Sequence, residues 1–180
     1  MLLFTPPVHA NALLEQGRAA IEARDYDAAA VVLERAHRAE PRNAAVAYAY
    51  ATAEITRGNA ARALELSEIA VRREGTNPDH HFLLGNLLAM NIDSMGALGK
   101  LRAAGRMRSA WEKAVDLNPN HVEARFALAS FYAQAPGVVG GGRDKAEMQI
   151  REIARVDTVM GHRARAVLLS SDRDYDEALR

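Results

Sequence analysis

The sequence predicts an all-α chain, a row of about five helix pairs of which the last is incomplete. Three observations carry that expectation. Alanine fills about one position in five of the 180, and apolar residues make up 49% of the chain against 6% aromatic. That is the composition of helices whose backbones approach closely, because alanine combines the best helix propensity with the least bulk. The pattern around Gly17 returns around Gly85, 68 residues later and twice 34, a period that belongs to helix-pair repeats. Within each unit the apolar residues recur at intervals of three and four, the spacing of one helix face.

The first unit, residues 10–42, starts with a helix carrying Leu13, Leu14, Ala20 and Ile21 on one side. Arg24-Asp25-Tyr26-Asp27 interrupts it, with Asp25 placed to cap a second helix from about Tyr26 to Ala39. Ala29, Leu33 and Ala36 form that helix's apolar face, Pro41 stops it, and Asn43 caps the next. Residues 43–76 are a looser copy: Tyr50, Ala51, Ala63 and Ala70 keep the pattern and Gly58-Asn59 makes the turn. Ala60 stands where the first unit has Tyr26, and Gly75 where it has Pro41. The third unit, 77–119, runs from Asn77-Pro78 through Leu84-Gly85 to Trp111, Ala114 and Asn118-Pro119-Asn120. About ten extra residues separate its halves, so Ile92 to Gly105 is either an extended connection or a lengthened second helix. The fourth, 120–157, has Leu128, Ala129 and Tyr132, a connection over Gln134–Gly142, then Ala146, Ile150 and Ile153. The fifth, 158–180, reaches Asp172-Arg173-Asp174-Tyr175-Asp176-Glu177-Ala178, close to the signature at Arg24–Ala29, and breaks off at Arg180.

The order Gly17, Tyr26, Ala29, Leu33, Ala36, Pro41 resembles the tetratricopeptide repeat family. The resemblance implies an α-α superhelix, a solenoid in which residues 10–180 form one domain and each pair covers its neighbour's apolar face. It also implies that the first helix of each pair lines a concave groove holding an extended or helical peptide. In that register one groove row reads Leu14, Tyr48, Phe82, Phe126 and Arg163, and the row beside it reads Arg18, Thr52, Asn86 and Ser130. Aromatic rings beside small polar groups suit a peptide, since the rings bury large area and the polar groups bond a partner's backbone. The alternative is that Tyr48, Phe82 and Phe126 pack inside the array. Family members that grip the acidic tail of a chaperone use lysine, arginine and asparagine on this face. Here the matching places hold Leu14, Arg18, Ala49, Asp79 and Leu83, so that grip is not expected.

Other chemistry finds little footing. With 23 basic and 23 acidic residues the chain has no net charge, so a nucleic-acid partner is not expected. Cysteine is absent, which removes disulfides, thiolate metal sites and thiol nucleophiles. His9, His37, His80, His81, His121 and His162 fall into no His-Glu-x-x-His pattern, and no serine sits in a Gly-x-Ser-x-Gly elbow. No metal, cofactor or catalytic activity is expected. Gly137–Gly142 resembles a phosphate cradle but is followed by Arg143-Asp144-Lys145, not Lys-Ser or Lys-Thr. It reads as a flexible connection, with an anion site at the next helix as the alternative.

No apolar run reaches the eighteen or so residues of a membrane span, which predicts a soluble chain. Residues 1–9 read as a lead-in, with a cytoplasmic location; if Met1–Ala10 is the tail of an export signal, the location is periplasmic. Arginine far outnumbers lysine, which occurs only at Lys100, Lys113 and Lys145, as in a high-GC bacterial genome. The expected function is a non-catalytic adaptor or scaffold for a peptide or protein segment. The alternative is a self-associating unit, two chains covering each other's uncapped C-terminal repeat as a homodimer.

Overall fold

The computed structural model describes residues 10–92 and 95–171. These form two compact units, meeting in sequence at Thr76 and Asn77. Residues 1–9, read as a lead-in, and 172–180, read as the end of the fifth unit, lie outside the described residues.

The first unit holds α1 (Ala10–Glu22), α2 (Tyr26–Ala39), α3 (Ala44–Thr56) and α4 (Ala60–Arg73). The caps read from the sequence set the boundaries: the Ala28 N–H donates to the Asp25 carboxylate at 3.0 Å, and the Val46 N–H to Asn43 at 3.1 Å. Both α1–α2 and α3–α4 turns pass through the left-handed region, at Arg24 (φ 61°) and Gly58 (φ 83°). Glycine takes that conformation without strain, and arginine does not. The core is small: Ala29, Leu33, Ala36, Val46, Ala47, Ala51, Ala53, Ala63, Leu66 and Ala70 are fully buried. Gly17 lies beneath the Leu33 isobutyl group so closely that a Cβ there would overlap it. Glycine thus sets the α1–α2 separation.

The second unit holds α5 (Pro78–Met90), α6 (Ala97–Leu117), α7 (Val122–Gln134), a 3-10 turn (Gly137–Val139), α8 (Arg143–Val156) and α9 (Thr158–Ser171). Asn77 caps α5, and His121 caps α7 through Nδ1, which accepts the Ala124 N–H at 3.3 Å. The extra residues of the third unit lengthen its second helix: α6 runs 21 residues, straight through Gly99 and Gly105. Each glycine costs the helix roughly 1 kcal/mol relative to alanine, and burial of Ala103, Ala104, Met107, Ala110 and Trp111 on the same helix outweighs it. Gly85 repeats the role of Gly17, since a Cβ there would overlap the Trp111 indole. Among the described residues no helix is long and apolar enough to cross a membrane.

Candidate functional site

The nine residues assigned to the groove by register fall into different environments. In the first unit Leu14 is buried within the core, and Arg18 is exposed with its guanidinium on Glu15 at 3.0 Å. Tyr48 and Thr52 are half-buried, and the Thr52 hydroxyl donates to the Tyr48 carbonyl at 3.0 Å. A recess of about 450 Å³ in this unit uses none of the four; it lies between the turns, lined by Arg24–Asp27, Thr56, Arg57 and Asn59.

The second unit does bring groove residues into a cleft. Phe126 and Ser130 of α7 open into a recess of about 470 Å³. Ala104, Met107 and Trp111 of α6 form one wall, Ala127, Phe131 and Gln134 of α7 continue the floor, and Ile92, Ala135, Pro136 and Val139 complete the lining. The lining is apolar except for Ser130 and Gln134, the combination that holds an apolar group by burial and orients it by a few polar contacts. Two other groove residues stand beside it without lining it. The Trp111 indole N–H donates to Asn86 at 3.0 Å, and half-buried Phe82 packs on the His121 imidazole with ring centroids 4.9 Å apart. For Phe82 the packing alternative therefore stands beside the groove reading, while Asn86 spends its side-chain oxygen on the indole. Arg163 is exposed and its guanidinium reaches the Met160 sulfur at 3.4 Å. Asp157 caps α9 by accepting the Met160 N–H. Counted from the caps, Phe126 is the fifth residue after His121, and the fifth after Asp157 is His162, so Arg163 sits one place beyond the row assigned to it.

The glycine-rich connection is hydrogen-bonded to the helices around it. The Arg108 guanidinium donates to the Val139 carbonyl at 3.2 Å, and the Lys145 ammonium donates to the Gly140 carbonyl at 3.0 Å. The Gly142 N–H donates to the Tyr132 carbonyl at 2.9 Å. Gly140 adopts φ 96°, and Gly141 packs so tightly on the Ala135 backbone that no Cβ fits. Beneath the loop the Tyr132 hydroxyl donates to Glu112 at 2.8 Å. Burial, reinforced by that carboxylate, pushes the phenol well above its ordinary range. The loop is thereby held as the wall carrying Pro136 and Val139. Sequence reasoning missed Met107, Trp111, Pro136 and Val139 as site residues; the lone tryptophan and the extra residues ahead of it were the available signals.

The described residues contain no group of three or more histidines, aspartates or glutamates that could hold a metal ion. His121 lies 3.3 Å from Asp79 and 3.2 Å from Glu123, yet its Nδ1 is engaged as the helix cap.

Residues 20–89 match the family model for the tetratricopeptide repeat. Several solved structures share the fold at low identity. A thermophilic TPR protein of Thermus thermophilus is 22% identical, with 94% of this chain and 86% of that one covered at a TM-score of 0.73. YrrB, described as a TPR protein with an unusual peptide-binding site, is 19% identical, with 93% and 79% covered at a TM-score of 0.68. MamA from Desulfovibrio magneticus is 18% identical, with 83% and 76% covered at 0.64. No curated protein matches the chain.

Proposed function

We propose that this chain, a tetratricopeptide repeat protein, works as a non-catalytic adaptor that binds a peptide or protein segment of a partner. The cleft of the second unit carries the reading: Phe126 and Ser130, taken from the groove register, open into an apolar recess large enough for one or two bulky side chains. Ser130 and Gln134 lie within reach of the backbone of a segment seated there. YrrB's peptide-binding site lends support from a protein of the same fold.

Selecting a displayed random-peptide library on the full chain tests this. Enriched peptides are expected to share a bulky apolar residue and to be lost on Phe126→Asp. No enrichment, or peptides held equally by the variant, defeats the reading. Self-association at the C-terminal repeat is the second reading, favoured by Val156 (52% exposed) and Val159 (70% exposed) beside each other at the α8–α9 turn. Light scattering at micromolar concentration decides it, and a monomer mass removes it.

A further inference from the structure

We propose that the other side of α6, together with α5, forms a second docking site, for an acidic peptide segment with apolar residues among its carboxylates. Arg102, Arg106, Ser109 and Lys113 recur at i, i+4, i+7 and i+11, so they lie along one side of α6 over about 16 Å. They border a recess of about 730 Å³ whose facing wall is His81, Leu84 and Leu88 of α5, and no aspartate or glutamate lines it. It shares no residue with the cleft at Phe126: Ala104, Met107 and Trp111 face that cleft, while the basic residues face this recess.

The charge imbalance is pronounced along this stretch of sequence. The chain as a whole is neutral, yet between Asp79 and Glu112 only Asp93 opposes Lys100, Arg102, Arg106 and Arg108. Elsewhere several arginines are matched within a turn, as in Arg38–Glu34, Arg62–Glu65, Arg143–Glu147 and Arg155–Glu152. Arg108 is engaged by the Val139 carbonyl and lies 3.5 Å from Glu112, but Arg102 and Lys113 form no ion pair among the described residues. An acidic partner would supply the counter-charge that Arg102 and Lys113 lack among those residues. Charge complementarity selects an anion, and the Leu84 and Leu88 floor selects a peptide over a phosphate polymer or a bilayer. Those would call for a broad basic field, which a single row on a neutral chain does not offer. A row of about 16 Å spans roughly five residues of extended chain.

The probe is a fluorescein-labelled peptide of alternating glutamate and leucine, read by anisotropy on the full chain, with a glutamine-for-glutamate peptide as control. The acidic peptide is expected to bind about tenfold more tightly than the control and to weaken as salt rises. Arg102→Glu with Lys113→Glu should cost a further tenfold or so, while the charge reversal Arg38→Glu on α2 leaves binding unchanged. Both basic residues are exposed, so circular dichroism of the double variant should match the parent. If it does not, Arg102→Gln with Lys113→Gln takes its place. Equal binding of the glutamine peptide, or binding that survives the double variant, overturns the proposal. So does binding of oligothymidylate or phosphatidylserine vesicles as tight as that of the acidic peptide.

Discussion

Residues 10–76 and 77–171 solve one packing problem with different materials. Each sets a glycine of a first helix under a large side chain of a second, Gly17 under Leu33 and Gly85 under Trp111. Leucine fills its gap by shape alone. The indole also carries an N–H, which Asn86 accepts. The polar side chains diverge as well. In the first unit they tie two turns together: buried Glu54 accepts from Arg57 at 2.7 Å and from Asn59 at 2.6 Å, and Arg57 also reaches Asp27 at 2.7 Å. In the second, Arg108, Glu112, Tyr132 and Lys145 brace a loop that walls a cleft. In the second unit the lengthened helix and the braced loop wall the recess into which Phe126 and Ser130 open.

The largest expected effect probes the fillers themselves. Trp111→Ala should cost about 3–5 kcal/mol and Leu33→Ala about 2–5 kcal/mol, measured by urea unfolding, with hydrogen exchange showing protection lost first around α5–α7 for the tryptophan variant. Next come the glycines. Gly85→Ala should cost about 1–3 kcal/mol, and Gly17→Ala less, because Leu33 can swing its Cγ aside without breaking a hydrogen bond while the indole is bonded to Asn86. Equal losses would break the distinction between shape and bonded packing.

A smaller effect is confined to the first unit. The His37 Nδ1 is buried without a hydrogen-bond partner, and burial, helped by the Arg62 charge, holds its pKa below the ordinary 6.5. The unfolded chain therefore takes up a proton more readily than the folded one. This contribution is complete above about pH 6.5 and is lost as pH falls through that value. Urea midpoints at two pH values should show a larger acid-side drop for the parent than for His37→Gln; parallel drops would refute it. The smallest effect lies in the turns. Arg24→Gly should gain about 0.5–1 kcal/mol and Gly58→Ala should lose about as much, measured by thermal melts.

Much of the fold was legible where capping chemistry is local. Asp25 and Asn43 fixed the starts of α2 and α3, because a side chain accepting an N–H three residues on leaves a short-range pattern. The path of α6 was not legible: Gly99 and Gly105 argue locally for a connection, and only the burial of Ala103, Ala104 and Met107 decides for helix. The ties of the glycine loop were not legible for a similar reason, since they come from Arg108 and Lys145, far from it in sequence or beyond its end. For the groove, helical periodicity identifies a face but not what covers it. Leu14 and Phe126 share a register position, yet one is buried in a core and the other lines a cleft.

Trp111 is the only tryptophan in the sequence, and it stands in the cleft wall with its indole N–H on Asn86. The protein therefore carries an intrinsic fluorophore at the place where occupancy matters. Filling the cleft, or removing the Asn86 acceptor, would change the polarity around that one ring, so its emission would report binding and tertiary packing without a label on the contact surface.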